Sequence, residues 1–242
     1  MTFDLLSTVG LTASAAVVVA TYVALFGSSL TQRVTIGTAM ALWFIGVLWI
    51  GVPGNISTPL LGAAVLIPVA VFSVIGFGSF TSRSWLHSAP LPELIALHAI
   101  RVLGVLFVLL YADKRLPAPF APVAGWGDIA IGATALPIAL WVTRQPDTAR
   151  GALVIWNSLG LADLVIAVSL GALSAPGAIR VFFDDPSSAL IASIPWILIP
   201  CFLVPSLIFV HLVVFYRTLG AAVNSAVLSS APLEGNRALR QR

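Results

Sequence analysis

The chain has 242 residues, of which 59% are hydrophobic and only 9% charged, and its formal net charge is +3. Soluble domains carry about 25% charged residues, so this composition, with a mean hydropathy of +1.05, excludes a water-soluble globular protein. The small and scattered positive charge argues against nucleic-acid binding. The single cysteine, Cys201, excludes an internal disulfide and a thiolate metal cluster.

Long uncharged stretches indicate membrane-spanning helices, each of which needs about 20 mostly apolar residues. No charge lies between Asp4 and Arg33, between Arg33 and Arg83, or between Asp185 and Arg217. In chain order the predicted spans are Val9–Gly27, Val34–Val52, Pro59–Phe80, Leu91–Ala112, Asp128–Thr143, Gly151–Leu173 and Trp196–Tyr216. The sequence therefore predicts an all-α, polytopic transmembrane bundle over residues 1–219. A basic, disordered cytoplasmic tail is expected at residues 220–242.

The distribution of basic residues predicts the orientation, because cytoplasmic loops are enriched in lysine and arginine. With the N-terminus outside, the inner segments hold Arg33, Arg83, Arg144, Arg150, Arg217, Arg237, Arg240 and Arg242. The outer segments then hold Lys114, Arg115 and Arg180. Because arginine far outnumbers lysine, a GC-rich prokaryotic genome is favoured. We therefore expect a bacterial cytoplasmic-membrane protein with its N-terminus outside and its C-terminus in the cytoplasm.

Five polar side chains within the predicted spans are the candidate site, because polar groups in a bilayer are costly and need partners. They are His98 and Arg101 in the fourth span, Asn157 and Asp163 in the sixth, and His211 in the seventh. Two further acids, Glu93 and Asp128, stand at predicted helix starts, where carboxylates favour the helix dipole. We interpret those two as capping residues.

Helix geometry sorts the five residues into two tiers of depth. At 1.5 Å per residue from the inner boundary, His98, Asn157 and His211 lie about 8–10 Å deep, and Arg101 and Asp163 about 15–18 Å deep. His98 and Arg101 are three residues apart and therefore share a helical face. Since each charge is expensive alone, Arg101 and Asp163 are expected to form a buried ion pair.

Three functions remain open at this point. The leading hypothesis is binding or transport of a small ligand or ion at a polar centre formed by spans four, six and seven. The second is electron transfer by a b-type haem with His98 and His211 as axial ligands. The third is an accessory subunit of a larger membrane complex. Without a recognisable catalytic motif, an enzyme is the less favoured class.

Several short motifs also resemble a family of bacterial proteins with about seven membrane helices and no assigned activity. These motifs are Arg101-Val102-Leu103-Gly104, Leu116–Ala121, Gly125-Trp126-Gly127-Asp128, Trp156–Asp163 and Pro200–His211. The resemblance covers about the C-terminal half of the chain. It implies a multi-pass membrane fold, and it groups Arg101, Asp128, Asn157, Asp163 and His211 as positions to test.

Overall fold

The computed structural model describes residues 2–52 and 58–230, and every regular element in those ranges is helical. Seven stretches are long and apolar enough to cross a bilayer: Phe3–Phe26, Leu30–Ile50, Leu60–Phe77, Leu91–Ala112, Phe120–Arg144, Pro146–Ser174 and Ile199–Gly220. The predicted all-α, seven-span class is confirmed. We refer to these stretches as spans one to seven.

In the described ranges, nine α-helices build the spans and their connections. They are α1 Thr2–Phe26, α2 Leu30–Ile50, α3 Thr58–Phe77, α4 Phe80–Ser88, α5 Leu91–Leu97, α6 Val105–Ala112, α7 Phe120–Arg144, α8 Pro146–Ser174 and α9 Val204–Ser230. Because α9 continues through Ser230, the tail predicted from residue 220 overlaps the end of this helix. Residues 231–242 of that predicted tail lie outside the described residues.

The third span is shorter than predicted, because α3 ends at Phe77 and a separate helix, α4, follows it. The Ser79 side chain caps α4 by accepting a hydrogen bond from the Ser82 backbone amide. His87 lies in the last turn of α4, and its Nε2 is 3.2 Å from the hydroxyl of Tyr216.

The prediction that span five begins at Asp128 is wrong, since α7 already begins at Phe120. The glycines before Asp128 serve close packing rather than a turn. A Cβ atom on Gly104 would lie 2.6 Å from the carbonyl oxygen of Gly125, and one on Gly125 would lie 2.9 Å from that of Gly104. Small residues therefore let α7 approach span four until the backbones nearly touch.

Span four is irregular at its centre, where a 3-10 helix covers His98–Gly104 between α5 and α6. A 3-10 helix has three residues per turn, so residues three apart lie in one line. His98, Arg101 and Gly104 form that line, and all three are buried. The unusual geometry thus turns both candidate side chains of span four toward the same neighbours.

Span seven is the most buried span and lies at the centre of the bundle. It opens with a π-helical turn at Ile199–Leu203, which contains Pro200 and precedes Pro205. Each proline removes a backbone donor, which explains the departure from regular α-helix. The hydroxyl of Tyr22 in α1 donates to the carbonyl oxygen of Ser206 at 2.8 Å, just after this turn.

Charged side chains mark the two ends of the bundle. At one end, Arg115 Nη1 lies 2.8 Å from Asp4 Oδ1. At the other, Arg150 donates to the carbonyl oxygen of Thr218 at 2.7 Å and Arg217 donates to that of Ala89. Between these ends the charged groups are few, and they meet in one cluster.

Candidate functional site

Arg101 is the centre of the polar cluster and contacts three other spans. Its Nε donates to Asp128 Oδ1 at 2.6 Å, and its Nη2 donates to Asp163 Oδ2. Its Nη1 donates to the carbonyl oxygen of Gly160 at 3.0 Å and lies 3.2 Å from Nε2 of His211. The Arg101 side chain is 1% exposed, whereas each carboxylate side chain is 14% exposed. One guanidinium therefore binds two carboxylates inside the bundle.

The contacts of His211 assign its tautomer. Arginine has only donors, so Nε2 of His211 must accept the hydrogen bond from Arg101. Nδ1 then carries the proton and donates to Asn157 Oδ1 at 2.7 Å. Asn157 Nδ2 in turn donates to the His211 carbonyl oxygen at 3.1 Å. His211 is thus a neutral imidazole with both ring nitrogens in use.

His98 lies against this network without a hydrogen-bond partner of its own. Its ring packs against that of His211 with centroids 4.0 Å apart and planes tilted by 32°, and it meets the Trp156 ring edge-on at 5.6 Å. The side chain is fully buried, and within the described part of the chain neither ring nitrogen has a partner. Its neighbour Trp156 is anchored separately, by donating to Thr134 Oγ1 at 2.9 Å.

Glycines give the cluster its compactness. A Cβ atom on Gly160 would lie 2.6 Å from Cε1 of His211 and 3.3 Å from Nη1 of Arg101. A Cβ atom on Gly127 would overlap the carboxylate of Asp163. The polar side chains therefore occupy space that larger residues at these two positions would fill.

The structure brings all five predicted site residues together. Of the inner-tier residues, His211 contacts both His98 and Asn157, and the predicted pairing of Arg101 with Asp163 is present. A sixth residue, Asp128, joins the cluster and pairs with Arg101 from the interior of α7.

The interpretation of Asp128 as a helix cap is wrong, because this residue lies inside α7. The polar centre is therefore built by spans four to seven, and not by spans four, six and seven alone. One signal could have found this residue. The predicted fifth span was too short to cross a bilayer, and extending it upstream places Asp128 inside the membrane. An acid at that depth needs a cationic partner, and Arg101 is the charge nearest in depth.

Residues 58–219 match the family described as a domain of unknown function, DUF8737. The chain belongs to this family. The matched region runs from the start of α3 almost to the end of span seven, so it contains every residue of the polar cluster, whereas α1 and α2 precede it. No curated protein and no solved structure matches the chain.

The cluster does not have the geometry of a bis-histidine haem site. Axial histidines lie on opposite faces of the macrocycle, each with a ring nitrogen directed at the iron. In this family member, Nε2 of His211 accepts from Arg101, and the two imidazoles are packed directly against each other with centroids 4.0 Å apart. A porphyrin has no place between them.

A small cavity adjoins the cluster and is lined by residues of α1 and of spans four to seven. Its volume is about 30 Å³, and its walls include Arg101, Asp128, Leu11, Gly104, Leu164 and Leu207. Of the residues that line it, only Arg101 and Asp128 have polar side chains. Among the described residues, no three His, Cys, Asp or Glu side chains are grouped so that they could hold a metal ion.

Proposed function

We propose that this protein is an integral membrane protein that binds a small monovalent cation at the Arg101 cluster and moves it across the bilayer. The observation that carries the proposal is the charge of the cluster. Arg101 contributes one positive charge, Asp128 and Asp163 contribute two negative charges when ionised, and His211 is neutral. An uncompensated charge inside a membrane is costly, so a bound cation would stabilise the cluster.

Irregular helices beside the cluster support movement of the bound cation. Transporters commonly bind their substrate near the bilayer midplane, where helices are interrupted. Here Arg101 lies in the 3-10 segment of span four, and His211 follows the π-helical turn of span seven. Two of the four spans that build the cluster therefore have backbone geometries that differ from regular α-helix.

A flux measurement in lipid vesicles tests this proposal. The purified protein would be reconstituted with trapped indicator dyes for H⁺, Na⁺ and K⁺, and a membrane potential of either sign would be applied. We expect flux of one cation, loss of that flux in Asp163→Asn, and unchanged flux in Asp4→Asn, which alters a partly exposed pair at the end of the bundle. Well-folded protein that moves none of the three cations would refute transport and favour an accessory subunit.

We also propose the bacterial cytoplasmic membrane as the location, with the N-terminus outside. The count of eight basic residues on the inner side against three on the outer side supports this orientation. The only cysteine, Cys201, is buried and can be replaced by alanine to give a background without thiols.

Single cysteines at two exposed positions test the orientation. In intact bacterial cells, a membrane-impermeant maleimide should label Asp113→Cys, between spans four and five, and should label Gln145→Cys, between spans five and six, only after lysis. The reverse pattern would refute the proposed orientation.

A further inference from the structure

The geometry points to a proton as the bound cation: we infer that Asp128 and Asp163 together hold one proton beside Arg101. This inference rests on the proposed function and names its ligand. Arg101 uses separate donors for the two carboxylates, Nε for Asp128 and Nη2 for Asp163. Each carboxylate is thereby engaged through one oxygen, and its second oxygen can carry a proton without breaking the contact to the guanidinium.

The small number of available ligands favours a proton over a metal cation. Hard metal cations are held by several oxygen ligands at once, and the described residues offer no group of three acidic, histidine or cysteine side chains that could do so. Among the residues that line the adjacent cavity, only Arg101 and Asp128 have polar side chains, so the cavity offers a metal cation a single carboxylate. A proton needs only one carboxylate oxygen and no cavity.

The charges facing the two carboxylates come from each element packed around them. Span four presents His98 and Arg101, and span seven presents His211, which is neutral and fully hydrogen-bonded. On the α1 side the cavity wall is Leu11, and the acid of α1, Asp4, is paired with Arg115 elsewhere. A proton on the carboxylates cancels the surplus negative charge, whereas a proton on His98 would add positive charge near Arg101.

His98 is a second, independent observation that supports a bound ligand at the cluster. It is a fully buried polar side chain packed against His211, and both of its ring nitrogens are without a partner among the described residues. A cluster with a purely structural role would be expected to satisfy its buried polar atoms. His98 instead keeps a donor and an acceptor available next to the network that holds Arg101.

Charge balance leads to a specific spectroscopic expectation. With two carboxylates and one guanidinium, one proton makes the cluster neutral. If either aspartate is replaced by asparagine, the remaining carboxylate balances Arg101 and needs no proton. The proton should therefore be lost in both single variants, and not only in one of them.

Infrared spectroscopy of the reconstituted protein at neutral pH tests this inference. Wild-type protein should show a carboxylic-acid C=O band equivalent to one group per chain, shifted in D₂O and lost at high pH. Asp128→Asn and Asp163→Asn should each lack the band, whereas Asp4→Asn should retain it. Thermal unfolding of each variant would verify that it is folded.

Two results would overturn the inference. One is the absence of the band in folded wild-type protein, and the other is its persistence in either aspartate variant. The outcome is separable from that of the transport proposal. A band without cation flux would leave the proton site in place and refute transport, whereas Na⁺ or K⁺ flux without the band would refute only the proton.

Discussion

Replacement of Arg101 by alanine is expected to lower the free energy of unfolding by about 3–5 kcal/mol, because it leaves negative charge uncompensated inside the bundle. The variant also removes the donors to Gly160 and His211. We expect a large loss of folded protein, measured as the monodisperse yield and the thermal midpoint in detergent. The matched control is Arg115→Ala, whose partly exposed pair with Asp4 should contribute about 0–1 kcal/mol.

A triple variant separates the structural contribution of the charges from their function. Apolar replacement of a whole buried charge cluster is often neutral or stabilising, by about 1–4 kcal/mol. Arg101→Met combined with Asp128→Leu and Asp163→Leu should therefore recover the folded yield that Arg101→Ala loses, and it should have no cation flux. A triple variant that folds and still transports would show that the cluster is not the binding site. An Arg101→Ala protein as stable as wild type would contradict the buried ion cluster itself.

Gly132→Ala is expected to destabilise the bundle by about 1–3 kcal/mol, the usual range for inserting a methyl group into a packed interior. The added Cβ atom would overlap the backbone nitrogen of Val102 and lie 2.8 Å from the carbonyl carbon of Arg101. Because both atoms belong to the backbone of the 3-10 segment, rotation of a side chain cannot relieve the overlap. The displacement should also move Arg101 away from its carboxylates and reduce cation flux.

The control for this substitution is Gly151→Ala in α8, where no atom lies within 4 Å of the added Cβ. Alanine is a better helix former than glycine by about 1 kcal/mol, so this variant should be as stable as wild type or slightly more stable. Thermal unfolding followed by tryptophan fluorescence compares the two. Equal midpoints for both variants would contradict the close packing of α7 on span four.

Much of the fold and of the cluster follows from the sequence, because a bilayer restricts where polar groups can lie. The uncharged stretches predict seven spans, and depth alone groups His98 with His211 and Arg101 with Asp163. The structure places both of these pairs in contact. The depths of the residues are informative because a charged side chain inside a membrane needs a partner at a similar depth.

The residue pattern favours a helix cap at Asp128, and only the family resemblance groups this residue with the cluster, because the pattern Gly125-Trp126-Gly127 has two opposite interpretations. In soluble proteins closely spaced glycines mark turns, whereas in membrane helices they mark close helix contacts. The tautomer of His211 and the 3-10 geometry at His98–Gly104 could not be predicted either. Both depend on which atoms of α7 and α8 face span four, and sequence spacing does not contain that information.

The 3-10 segment of span four has a mechanical consequence. A residue rises about 2.0 Å in a 3-10 helix and about 1.5 Å in an α-helix, so conversion of the seven residues His98–Gly104 to α-helix would shorten the span by about 3–4 Å. Three residues would then cover about 300° instead of a full turn, which would rotate Arg101 by about 60° relative to His98. Conversion of this segment would therefore shorten span four along its axis and rotate the guanidinium of Arg101 in the same step.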